Sequence, residues 1–221
     1  MIRVALSVLL AFVISLSAFA GNESLDIDKV NGSIHVPDNA TAGKLSTVNG
    51  SIHVGAGAHV SDTDTVNGGI DIGDGSTVAS LDTVNGGIHV GANARVAKTV
   101  EAVNGSITLA TGADVTGKLS NVNGAIKLTA AHVGGGIETV SGDTTVGANS
   151  HVEGGITVNE DHSWFHFGST RKPRIVIGPH AVVQGDLTFK REVELFVSDS
   201  ATIGKITGAT ATKFSGDTPP Q

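Results

Sequence analysis

Histidine and aspartate fall in register along this chain. His35, His53, Asp71 and His89 each sit in the middle of an aliphatic triplet, Ile-His-Val or Ile-Asp-Ile, at steps of 18 residues. Imidazole and carboxylate are ligands for borderline divalent metals, so these four are the metal candidates of the sequence. Three or four ligands must converge on one point, however, and a straight row on a flat face diverges. The expectation is a solvated polar face, with no metal and no cofactor. His59, Thr77, Arg95 and Asp114 make a second outward row, continued by His132 and His151.

A second chemical concentration lies at residues 160–174, where the pattern breaks: Glu160-Asp161-His162-Ser163-Trp164-Phe165-His166-Phe167-Gly168-Ser169-Thr170-Arg171-Lys172-Pro173-Arg174. It holds the one Trp of the chain, and no aromatic residue occurs between Gly21 and Ser163. Insertions in repetitive folds loop out and often carry binding. Trp164, Phe165, His166, Phe167, Arg171, Lys172 and Arg174 are therefore the binding candidates, suited to a glycan, a lipid headgroup or a protein partner. The competing expectation is that the aromatic side chains fold back over the body of the protein.

Catalytic constellations are not evident. No Ser-His-Asp set in a strand–turn–helix context, phosphate loop or zinc-hydrolase motif occurs. The absence of cysteine excludes a thiol nucleophile, Cys-ligated zinc and disulfides. Acid pairs such as Asp62 with Asp64 and Asp71 with Asp74 occupy outward, solvated places that give no reason for a raised pKa. The expectation is a protein without catalytic residues.

The elements that position these residues follow from an internal repeat. Val30-Asn31-Gly32-Ser33-Ile34-His35-Val36 recurs as Val48-Asn49-Gly50-Ser51-Ile52-His53-Val54, and again with Asn67, Asn85, Asn104 and Asn123 at the second place. A degraded copy holds Ser141 there. Steps between these positions are 18, 18, 18, 19, 19 and 18. Inside lies a six-residue aliphatic period: Val36, Ala42, Val48, Val54, Val60, Val66 and onward. Three such sides per coil define a triangular parallel β-helix. Each side is a short strand alternating in and out, and each corner is a turn of Gly or Asn, which tolerate positive φ. Counting the inward Ile place from Ile34 to Leu195 gives nine coils of 18–19 residues. The added residues of the longer coils are expected as bulges near Val100–Ala102 and Leu119–Asn121. Asn31, Asn49, Asn67, Asn85, Asn104 and Asn123 should form a hydrogen-bonded structural ladder without chemistry of its own.

Composition agrees. Among 221 residues, 30 are Gly, none is Tyr, and aromatics reach 4%. In a prism one side chain deep, Tyr or Trp would not fit. Apolar residues at 39% and a net charge of −7 exclude a disordered chain. An acidic protein without a basic stripe also argues against nucleic acid as partner. Residues 1–20, with Arg3, an apolar run and Ala18-Phe19-Ala20, read as a cleaved secretory signal. No later stretch is apolar enough to span a bilayer, so an integral membrane protein is not expected. The domain expectation is a signal at 1–20, a β-helix over 21–208 with an insertion loop at 160–174, and a C-terminal tail at 209–221. Lys190, Arg191 and Glu192, with Phe196 and Phe214, are the expected terminal cap.

Two resemblances extend this. The run Ile175-Val176-Ile177-Gly178-Pro179-His180-Ala181-Val182-Val183-Gln184-Gly185-Asp186-Leu187 resembles bactofilin, a polymer-forming bacterial β-helix family, and the Val-Asn-Gly-Ser-Ile blocks are similar to bacterial putative-adhesin repeats. These resemblances imply a right-handed coil, favoured over the left-handed alternative that Val54-Gly55-Ala56-Gly57-Ala58-His59 would fit. They also imply a scaffold, leaving monomer against filament open. The resulting expectation is a non-enzymatic exported protein of the bacterial cell envelope, periplasmic or at the surface, presenting a rigid face to an envelope protein or glycan. The alternatives are a self-assembling bactofilin-like scaffold and a metal-dependent β-helix enzyme. That enzyme would be a hydratase resembling gamma-class carbonic anhydrase, or an enzyme acting on polysaccharide.

Overall fold

The computed structural model describes residues 25–160 and 171–220. All regular structure among them is β, and every strand pairing is parallel. The Ile-His-Val triplet shows why. In Ile34–Val36 the two aliphatic side chains point inward at 1% and 3% exposure while His35 points out, as a period of two requires. Three residues suffice for a side, because the chain then turns and the next coil pairs with it 18 residues later: Ile34 with Ile52, His35 with His53, Val36 with Val54.

Ten such strands, from Ile34–Val36 to Ala211–Phe214, form one face. The other two faces share a seventeen-stranded sheet, because His59–Asn67 and Thr77–Asn85 run through the corner between them without a break. The molecule is thus a three-sided parallel β-solenoid. It has ten turns rather than the nine counted from the inward Ile places. The tenth lies beyond the boundary expected at residue 208: Ala211–Phe214 pairs with Glu194–Ser198, and Phe214 is buried at 5% exposure. At the other end, Ile27–Asn31 pairs with Leu45–Asn49. Asp26 Oδ1 there accepts the Lys44 backbone N–H at 2.7 Å. At about 4.8 Å per step, the stack is roughly 43 Å long.

Its interior is a set of columns. Ile, Val and Leu fill the sides, and Ala58, Ser76, Ala94, Ala113, Ala131, Ser150 and Ala181 line one corner where only small residues fit. Thr47, Thr65 and Thr83 point inward beside the Asn corner. Their hydroxyls donate to the carbonyls of Gly32, Gly50 and Gly68 at 3.0–3.1 Å, and Asn121 serves Gly105 in the same way at 2.8 Å. Thr63, Thr139 and Thr144 are buried with hydroxyls that have no partner.

The corners obey different rules. After the first face, one residue per coil is left-handed: Asn39, Gly57, Gly75, Asn93, Gly112, Ala130, Asn149 and His180, with φ between 44° and 74°. Asn and Gly adopt this region readily, whereas Ala130 and His180 do so at a cost. At the Val-Asn-Gly corner Gly32 and Gly124 take positive φ, 110° and 135°, but the wider constraint is close approach of the coils. Gly50, Gly68, Gly86 and Gly105 have ordinary φ, and a Cβ on each would collide with the carbonyl of the glycine one coil below. The 19-residue coils begin at the remaining corner. Val96 pairs with Val78 but Val100 with Leu81, so the added residue lies at positions 97–99, just before the expected bulge.

Candidate functional site

The solenoid turns sequence period into rows. The Asn row is a continuous chain of amides, in which each Nδ2 donates to the Oδ1 one coil below. The distances run 3.1 Å for Asn49 to Asn31, 2.8 Å for Asn67 to Asn49, 3.0 Å for Asn85 to Asn67, and 3.1 Å for both Asn104 to Asn85 and Asn123 to Asn104. Every amide is engaged along the row, which makes it a structural ladder.

His35, His53, Asp71 and His89 stand exposed in the middle of the ten-strand face, in direct register. Their closest acid–base approach is His53 Nδ1 to Asp71 Oδ2 at 3.7 Å. They do not converge on a point. His53, Asp71 and His89 line instead a shallow trough of about 320 Å³, bounded by Ser51, Ser106 and Thr108 and floored by Gly69, Ile70, Gly87 and Ile88, with His35 outside it. The trough exists because the place held by Ser33, Ser51 and Ser106 in other coils is Gly69 and Gly87 here. Two missing side chains open a notch beside a row of hydrogen-bonding groups.

Convergence occurs on the second face. Asp114, His132 and His151 pair in register along that row. His132 Nδ1–H donates to Asp114 Oδ1 at 2.6 Å, and His132 Nε2 lies 3.2 Å from Glu153 Oε1. The His132 and His151 rings are 5.6 Å apart, and Gln184 Nε2 donates to His151 Nε2 at 3.0 Å. One ligand atom from each of His132, His151 and Glu153 lies within 4.8 Å of the others. Among the described residues this is the one such group of three. The sequence places His132 and His151 in this outward row but assigns them no site. Glu153 follows the inward Val152 at the start of the corner, so its side chain reaches back over the coil below. Asp114, above all through its hydrogen bond, and Glu153 hold the His132 imidazole above its ordinary pKa. The sequence signal was present: His132 and His151 adjacent in register, Asp114 before them and a carboxylate two residues after.

The third face carries acids in register: Asp64, Asp82 and Glu101. Burial first, then Asp64, Glu101 and Asp62, push the Asp82 carboxyl up to about 7. Asp82 is not among the acids singled out from the sequence, Asp62, Asp64, Asp71 and Asp74. Lys44 pairs with Asp64 at 2.7 Å and Lys98 with Asp62 at 3.1 Å, leaving Asp82 the half-buried member between charged neighbours.

Of the insertion, Trp164, Phe165, His166 and Phe167 lie outside the described residues. The three cations that follow them make contacts within the chain. Arg171 Nη2 meets Asp143 Oδ2 at 2.7 Å, Lys172 Nζ meets Glu192 Oε2 at 3.0 Å, and Arg174 stacks over Phe196 at 4.3 Å. The Arg174 backbone N–H also donates to Asp143 Oδ1 at 2.8 Å. These cations fasten the return of the insertion to the rod. Phe196 accordingly lies on the outer surface beneath Arg174, and the end is closed by Phe214 rather than by both rings.

Comparison with protein-family models, with curated proteins and with solved structures finds no match to the chain.

Proposed function

We propose that this protein is a non-enzymatic structural and interaction rod, exported to the bacterial cell envelope, whose ten-strand face binds an envelope glycan or protein. The observation that carries this is the trough between Ser51 and Thr108. It offers imidazole, carboxylate and hydroxyl groups at a fixed repeat of about 4.8 Å on a scaffold whose backbone is hydrogen-bonded on both sides of every inner coil. Such a rigid array loses little conformational freedom on binding, and its spacing suits an extended polar chain. Export rests on the signal-like residues 1–20.

The test is binding of the purified chain to immobilised envelope glycans and to envelope extract. Wild type is compared with a His53→Ala/His89→Ala double variant and with Trp164→Ala/Phe165→Ala. Loss of the retained ligand in the histidine variant supports the trough. Loss only in the aromatic variant moves the site to the insertion. Turnover of a polysaccharide or hydration of carbon dioxide by the wild type overturns the non-enzymatic assignment.

A filament is the second reading, favoured by strand edges at Ile27–Asn31 and Ala211–Phe214 that are unpaired among the described residues and by the exposure of Leu25 and Val30 near the first. Light scattering that gives a monomer across a wide concentration range removes it.

A further inference from the structure

We infer that His132, His151 and Glu153 form a binding site for a divalent transition-metal ion of the zinc class, on the face next to the one that carries the trough.

Three observations support it. The ligand atoms of all three residues lie within 4.8 Å of one another. Ligands around a tetrahedral zinc ion sit about 3.3 Å apart, so small rotations of half-exposed side chains complete the set. The ligand chemistry selects the metal: two imidazoles and one carboxylate favour zinc-class ions over calcium or magnesium, which take oxygen. The surroundings also fit. Asp114 Oδ1 accepts from His132 Nδ1–H at 2.6 Å, which fixes the ring so that Nε2 faces Glu153. A carboxylate behind a histidine in this way orients the ring and raises its basicity as a ligand. Gln184 Nε2 donates to His151 Nε2 at 3.0 Å, a hydrogen bond that an ion bound at that nitrogen replaces. The two carboxylates, Asp114 and Glu153, supply negative charge that a divalent cation balances.

Three protein ligands leave the fourth tetrahedral place to solvent or to a group from a partner. His132 and His151 belong to successive coils, so a bound ion clips those coils together on the outside of the rod.

The experiment is titration of the purified full chain with zinc chloride by calorimetry, with cobalt(II) absorption as a second readout. One saturable site per chain is expected, with the visible bands of tetrahedral cobalt. His132→Ala and His151→Ala should each weaken binding at least 10-fold, and Asp114→Asn, which leaves the three ligands in place, 10- to 100-fold. His53→Ala/His89→Ala should leave affinity unchanged. Zinc should raise the melting temperature of the wild type but not of His151→Ala. Because these side chains are on the surface, the variants are checked for an unchanged β-rich circular dichroism spectrum, and the wild-type cobalt spectrum tests the site without any substitution. No saturable binding by the wild type, octahedral cobalt, or affinity indifferent to His132 and His151 overturns the proposal.

Discussion

Replacing Asp82 with Asn should make the stability of this protein less dependent on pH. Asp82 lies half-buried between Asp64 and Glu101 in the acidic row, and its carboxyl titrates at about 7 rather than 3.8, first because of burial and then because of its acidic neighbours. The folded chain therefore holds a proton that the unfolded chain releases. Stability from this group is fully present below the unfolded value of 3.8 and is lost as pH rises through about 7. At about 1.36 kcal/mol per pH unit, roughly 2.7 kcal/mol of the loss falls between pH 5 and pH 8. Solvent screening at a half-buried position reduces this to about 1.3 kcal/mol. Asn cannot ionise and keeps the shape, so the variant should lose that slope and be more stable than wild type at pH 8 by a similar amount. Urea melts at pH 5, 6, 7 and 8 measure it. If wild type and Asp82→Asn show parallel profiles, the carboxyl is ionised in the fold at neutral pH and the argument fails.

Three further outcomes follow from the corners and the ladder. Asn67 makes one hydrogen bond downward at 2.8 Å and accepts one from above at 3.0 Å, so Asn67→Ala should cost about 1–2 kcal/mol. Asn31→Ala, at the end of the row, should cost less; urea denaturation of the pair decides it. Ala130→Gly should stabilise by about 0.5–1 kcal/mol, because φ at this position is 44° in the only coil with alanine at the left-handed place. A lower melting temperature for that variant would contradict the assignment. Gly86→Ala should cost about 3 kcal/mol or more, since the new Cβ meets the Gly68 carbonyl. Gly75→Ala, with φ of 67° but open space around it, should cost only about 1 kcal/mol. Equal effects would show that dihedral preference, not backbone approach, fixes both glycine columns.

The fold was legible because a solenoid writes its geometry into its period. Inward Ile34, Ile52, Ile70 and Ile88 are one column, and Asn31 to Asn123 are one ladder, at the spacing that the sequence shows. The tenth coil was not legible, because Ala211 and Thr212 replace the Ile-x-Val pattern once the stack needs only closing. The site was less legible than the fold. Register predicts which residues share a row, but not which side chains leave it. Glu153 reaches His132 only because the chain has begun to turn at Val152, and that turn has no signature beyond the glycines that follow. Asp82 was hidden for the opposite reason. Its row was readable, but the degree of burial that turns three aligned acids into a raised pKa depends on how closely the coils pack. The Val-Asn-Gly glycine was located correctly and explained in part: positive φ holds at Gly32 and Gly124, whereas at Gly50, Gly68, Gly86 and Gly105 close approach of successive coils is what excludes a Cβ.

Coils that touch only their neighbours also set how this rod answers force. Each inner coil is held by lateral hydrogen bonds to the coil above and the coil below, and no disulfide ties distant parts together. Tension applied at the two termini would therefore unzip the stack from its ends, one coil at a time, rather than shear it as a block. A freed coil of 18 residues would lengthen the chain by roughly 55 Å, given about 3.4 Å per extended residue and about 4.8 Å surrendered from the stack. Placed between two anchored bodies, the protein would behave as a stiff spacer at low load and as a ratcheted line above its threshold.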